Sequence, residues 1–171
     1  MRKLLDRLYD GAAWLAALFM IGLLAMVLLS IVSRLLRFQA PGTDSYAGYM
    51  MAASGFLALA HTLKRGEHIR VTLLLSALKG RAHRALELWA LAAGALLAAL
   101  FAYYSCKLAW QSHVFNDIST GIDATPLWIP QLSMAVGSVI LVVALIDELV
   151  LELRGQRVAA DTVSEEALHN E

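Results

Sequence analysis

Lysine, arginine, aspartate and glutamate are missing from four long stretches of this 171-residue chain: Gly11 to Ser33, Ser45 to Leu63, Leu88 to Cys106 and Ala124 to Ile146. A bilayer core about 30 Å thick needs roughly 20 helical residues at 1.5 Å each, so each stretch is long enough to cross it. Barrel strands are excluded too, because they alternate apolar and polar residues while these runs are unbroken. The missing charge also argues against a self-sufficient carrier or exporter, since ionisable groups inside a membrane are costly and persist where they have work to do. None of the runs shows the paired Gly/Pro interruptions that mark broken helices around a midplane substrate site. A single cysteine, Cys106, cannot form an intramolecular disulfide or a paired-thiol redox centre. It is expected to pack as a small hydrophobe near a helix end. HExxH, CxxC, Walker-type and GxSxG motifs are absent, so no enzyme activity, metal or cofactor is expected. Of five histidines only His61 lies within a run, which leaves no embedded pair to ligate haem.

What charge there is lies in loops and tails, and its distribution is uneven although the formal net charge is zero. With both termini cytoplasmic, the inner segments carry eleven Lys and Arg residues and the outer loops three, which is the positive-inside pattern. Trp14 and Trp89 then fall at inner span ends, and Trp110 and Trp128 at outer ends, where indole rings favour the headgroup level. The first run has 23 residues, too long for a signal-peptide core, and reads as a retained anchor. Asp147 and Glu148 follow the fourth run at its inner end and are expected to be solvent-exposed. The fold class is therefore an all-α integral membrane protein with four transmembrane helices, spanning about 11–33, 45–63, 88–106 and 124–146. Between the second and third, Val71, Leu74, Leu75 and Leu78 form an apolar stripe with Arg70, Thr72, Lys79 and Arg81 off it. That predicts an interfacial amphipathic helix over about 69–84. Residues 1–150 make one membrane domain, and 151–171 a polar cytoplasmic tail.

Small residues suggest how the helices pack. The third run carries Gly94, Ala98 and Ala102 at four-residue spacing, and the second Gly48, Ala52, Gly55 and Ala58. Membrane helices adhere by close backbone approach, so the third helix is expected to be central and paired with the second.

Two patches are less generic. Directly after the second run comes Lys64-Arg65-Gly66-Glu67-His68-Ile69-Arg70-Val71, in which Gly66 permits the turn out of the membrane and Arg70 faces lipid phosphate. Opening the fourth is Thr125-Pro126-Leu127-Trp128-Ile129-Pro130-Gln131-Leu132-Ser133. Here Thr125 is placed to cap the helix, Pro126 suits its first position and Pro130 still falls in the first turn. Trp128 anchors at the outer headgroup level, with Gln131 and Ser133 beneath it as a polar notch. The acidic outer-loop residues Asp117 and Asp123 lie nearby in sequence.

Together with the four-run layout, the two patches resemble the small permease subunit of tripartite ATP-independent periplasmic (TRAP) transporters, the DctQ-like family, over about residues 5 to 150. A Pro often found before the glycine of the last helix in that family is missing, since Ala135 and Val136 precede Gly137. The resemblance implies a non-catalytic bacterial inner-membrane subunit that pairs with a large permease subunit and, transiently, with a periplasmic substrate-binding protein. It also implies sodium-coupled uptake of organic acids, and no nucleic-acid partner. Candidate partner or lipid contacts are Gly66, His68, Arg70, Trp128, Pro130, Gln131, Asp117 and Asp123. The competing reading is an autonomous four-helix redox or quinone-interacting subunit, which would carry a chromophore.

Overall fold

The computed structural model describes residues 2–64 and 81–154. They form four helices: α1 (Arg2–Leu35), α2 (Thr43–Lys64), α3 (Arg81–Val114) and α4 (Trp128–Leu153). At 1.5 Å per residue, α1 and α3 are each about 51 Å long and α2 about 33 Å. α1, α3 and α4 are long and apolar enough to cross a membrane. The expected interfacial helix falls mostly on residues outside those described; its last four, from Arg81, already belong to α3, which starts seven residues before its uncharged run.

Helix ends follow from local backbone chemistry. α1 stops where Arg37 enters the left-handed region (φ 56°), and Phe38 N–H then donates back to Ser33 O at 3.1 Å. α3 stops in the same way at Asn116 (φ 52°), with Asp117 N–H donating to Ser112 O at 3.0 Å. These backward bonds satisfy carbonyls that the last turn leaves open, and Asn tolerates the left-handed conformation better than most residues. Gly42 (φ 83°) makes the turn into α2, a conformation with little cost only for glycine.

Along their lengths α1 packs on α2, α2 on α4 and α4 on α3. The helices therefore stand in the spatial order α1, α2, α4, α3, an open row with α1 and α3 on its flanks. Most of the buried positions are small. On α3, Ala98, Ala102, Ser105, Ala109 and Ser112 are buried at alternating spacings of four and three, the repeat of a single helix–helix seam. α4 buries Ala135, Gly137, Ser138 and Ala144, and α2 buries Ala53, Ser54, Leu57 and Ala60. Ser54 and Ser138 donate to carbonyls three residues back in their own helices, so the seams bury hydroxyls without leaving the hydrogen unpaired. Large apolar side chains point outward, among them Leu18, Ile21, Leu24, Leu96, Leu97 and Leu100. In hydrocarbon this distribution follows from packing, because lipid solvates leucine as well as protein does and only small residues let backbones approach.

The expectation of a central α3 paired with α2 is corrected. α3 flanks the row, and it meets α2 through a stack of Phe56 on Phe101, 5.7 Å between centroids. Its buried small residues occupy one stripe, enough for one close neighbour, α4. The central positions belong to α2 and α4. A β-carbon on Gly137 would lie 2.6 Å from the Phe56 carbonyl carbon and oxygen, so the two backbones touch there. α4 runs unbroken through Ala135, Val136 and Gly137.

Candidate functional site at the two-loop end

The loops 36–42 and 115–127 meet at one end of the row. Asp123 ties the longer one to α2. Its carboxylate accepts from Tyr49 OH at 3.1 Å and from Ser119 Oγ at 3.0 Å. Thr125 also donates to it, while the Thr125 and Tyr46 hydroxyl oxygens lie 3.3 Å apart. Tyr46 and Tyr49 project from the first turns of α2, where their rings make an edge-to-face contact at 6.1 Å. Backbone bonds close the longer loop on itself: Ser119 N–H donates to Thr125 O at 2.8 Å and Leu127 N–H to Asp117 O at 2.9 Å, beside an antiparallel bridge between Ile118 and Pro126. These contacts place the starts of α2 and α4 at the same end. Ala124 is held at φ 45°, a conformation that costs a non-glycine residue about 1–2 kcal/mol and persists because its neighbours fix it.

Hydrogen bonds from Thr125, Ser119, its own backbone N–H and Tyr49 hold the Asp123 carboxyl well below the usual carboxylate range, with lost solvation opposing them. A carboxylate lowered on folding stabilises the folded state above its unfolded value of about 3.9, and that stability is lost only as pH falls through the lower folded value. Wild type should therefore melt above Asp123→Ala by a constant margin from pH 8 to about pH 5. The margin should shrink only in stronger acid. A margin that already closes between pH 7 and pH 5 would show that the carboxylate does not fasten the loop to α2.

Trp128 is the first residue of α4, and its ring meets His113 of α3 edge to face at 5.2 Å. Below them, Trp110, His113, Trp128, Leu132, Val136 and Val139 line an apolar groove of about 450 Å³ between α3 and α4. Cys106 opens onto that groove and is exposed, where packing as a small hydrophobe near a helix end was expected. Pro130 sits at the third helical position, where no backbone donor is needed, and its carbonyl accepts from Ser133 Oγ at 2.7 Å. Gln131 points inward as expected, and its Oε1 is buried without a hydrogen-bond partner among the described residues. The proposed Thr125 cap does not form. Its hydroxyl is taken by Asp123 and Tyr46, Pro126 lies outside the helix against Ile118, and Leu127 occupies the N-cap with no side-chain bond. Asp117 contributes its backbone to the loop and exposes its side chain. The structure thus places Asp123 on the α2 side and Trp128 on the α3 side of one loop system. Gly66, His68 and Arg70 lie outside the described residues.

Polar contacts also fasten the opposite end. Lys64 bonds Asp6 and lies 4.8 Å from the centroid of the buried Tyr9 ring, and His61 Nδ1 lies 3.6 Å from Asp10 Oδ1. Arg84 Nη2 of α3 donates to the last carbonyls of α4, Glu152 O at 3.3 Å and Leu153 O at 3.2 Å. Its Nε is 3.9 Å from the Glu152 carboxylate, which is 1% exposed. Sequence reasoning missed both the Tyr46–Tyr49–Asp123 tie and the burial of Glu152. Asp147 and Glu148, expected in solvent, are half-buried on α4.

Long apolar helices, seams of Ala, Gly and Ser, and polar ties confined to the two ends define a multi-pass helical membrane protein. Residues 23–155 match the family model described as tripartite ATP-independent periplasmic transporters, DctQ component. That match covers most of the chain, which belongs to this family and is a small membrane subunit of a TRAP transporter. No curated protein matches the chain.

Proposed function

We propose that the chain is the non-catalytic scaffold subunit of a sodium-driven transporter for organic acids in the bacterial inner membrane. In this reading residues 1–150 are one membrane domain with four spans, an interfacial segment over 69–84 and both termini in the cytoplasm. The observation that carries it is the open row α1, α2, α4, α3. A row whose buried seam positions are mostly small and whose large apolar groups face outward suits a wall that steadies a larger moving partner. The uncharged runs fit a division of labour in which a large permease subunit holds the substrate and sodium sites. α2 supports the fourth span: its first turns bond the 117–125 loop and its last turn bonds the start of α1, so it runs the full height beside α1 and α4. Lipid phosphate contacts fall to Gly66, His68 and Arg70, and the two-loop end, with Asp117, Asp123, Trp128, Pro130 and Gln131, faces the periplasmic substrate-binding protein.

Reconstitution tests the reading. With a sodium gradient, liposomes holding this chain alone should take up no organic acid, and uptake should begin only when the large permease subunit and a loaded binding protein are present. Uptake by this chain alone, or full uptake without it, would refute the scaffold role. A reporter fused after Gly42 should read periplasmic, and a cytoplasmic signal there would reverse the orientation.

A further inference from the structure

The 115–127 loop lies between the end of α3 and the start of α4, outside the apolar spans that those helices provide. It nevertheless exposes three large apolar side chains: Phe115 is 72%, Ile118 61% and Ile122 84% exposed. Apolar side chains of this size gain from burial, so leaving three of them uncovered in one short loop is unfavourable unless something covers them. The loop is also rigid by construction. The Ile118–Pro126 bridge, the Ser119–Thr125 and Asp117–Leu127 backbone bonds, the Asp123 tie to α2 and the left-handed Asn116 and Ala124 fix its path. A preordered loop loses little conformational freedom on binding, which is the usual economy of a docking surface.

Charge decides between a membrane and a protein as the cover. Residues 115–127 carry Asp117 and Asp123 and no Lys or Arg. Asp123 is spent on the loop itself, which leaves Asp117 exposed between Phe115 and Ile118. A lipid surface would be met by cationic side chains that pair with phosphates, and an exposed carboxylate beside the apolar groups opposes immersion. We infer that Phe115, Ile118 and Ile122 form an apolar docking knob for the soluble substrate-binding protein, whose facing surface is an apolar patch rimmed by Lys or Arg near Asp117. This rests on the proposed place of the chain in a three-component transporter, and it adds to that reading the side chains that make the contact. An apolar centre with a charged rim divides the work in the way interfaces commonly do, the centre setting affinity and the rim the rate of encounter.

The complete transporter in liposomes supplies the test, with its own loaded binding protein as the probe. The double variant Ile118→Ser, Ile122→Ser should raise the binding-protein concentration for half-maximal uptake about tenfold, with maximal uptake and co-purification with the large subunit retained. Asp117→Asn should raise it less, and chiefly at low salt. An unchanged half-saturating concentration in the double variant would overturn the knob. A second measurement does not depend on uptake. A fluorophore on Ile122→Cys, in a Cys106→Ala background, should be quenched by aqueous iodide and shielded when binding protein is added. Quenching instead by spin-labelled acyl chains would place the loop in the bilayer and overturn the proposal. If the wild-type chain forms no complex with a large subunit, the subunit reading itself fails and the knob falls with it. A working wild type with an unaffected variant removes the knob alone.

Discussion

Replacing Arg84 with Ala should destabilise the protein by about 3 kcal/mol, because it leaves the Glu152 carboxylate buried with no cation beside it. Glu152 is 1% exposed and neither carboxylate oxygen has a hydrogen-bond partner among the described residues. The Arg84 side chain is about half exposed, so the attraction across 3.9 Å is partly screened. Its value lies less in that attraction than in preventing an uncompensated buried charge. Arg84 also neutralises the carbonyl end of α4 through Glu152 O and Leu153 O, where a cation complements the helix dipole. Glu152→Gln removes the charge and keeps those carbonyl bonds, so it should cost less than about 1 kcal/mol. Removing Arg84 in the Glu152→Gln background should then cost roughly 1 kcal/mol, a coupling of about 2 kcal/mol between the two sites. Unfolding followed by tryptophan fluorescence in detergent measures all four corners of the cycle. Equal costs for Arg84→Ala in both backgrounds would mean that the buried carboxylate does not depend on the guanidinium.

The all-helical class was legible because hydrocarbon imposes its demand on every residue of a span: the four uncharged runs fall within α1, α2 and α3 and largely within α4, and three of these helices are long and apolar enough to cross a membrane. Helix ends were less so. α3 begins at Arg81 and not near Leu88, since a helix continues past the hydrocarbon boundary wherever Arg, His and Glu can meet water or partners. Neighbour order was misread for a definite reason. A stripe of Ala and Gly shows that a helix can be approached closely, but not by how many helices, and the decisive contact rests on the single Gly137. The patch that opens α4 was legible at Pro130, which sits in the first turn as its ring prefers. Thr125 was not, because its hydroxyl chooses between the helix start and an acidic neighbour, and Asp123 with Tyr46 outcompetes the cap. Glu152 shows the same limit more sharply: a carboxylate after an apolar run reads as solvated, and only the approach of α3 at Arg84 makes it buried. Residues that act through their own chemistry were visible in sequence, and residues whose role depends on a distant partner were not.

Gly137→Leu should split the row between its two central helices. A β-carbon at Gly137 would lie 2.6 Å from both the carbonyl carbon and oxygen of Phe56 and 2.9 Å from its β-carbon. Those atoms are backbone or directly attached to it, so no side-chain rotation relieves the clash and α2 must move away from α4. Gly137→Ala already demands a shift and should cost about 1–3 kcal/mol, the usual range for overpacking, with Leu costing more. Separation at this level would also draw α2 away from the loop tied to its first turns. Tyr49 would then lose Asp123, and the 115–127 loop would lose its anchor, although no residue of that loop had changed. The expected signature of Gly137→Leu is therefore double: a lower melting temperature, and a loop that becomes susceptible to proteolysis near Gly121 in the folded protein. Asp123→Ala should reproduce the second effect without the full cost of the first, because it frees the loop and leaves the Gly137–Phe56 contact intact. If Gly137→Leu melts like wild type, then α2 and α4 do not touch at the backbone, and the spatial order α1, α2, α4, α3 loses its central joint.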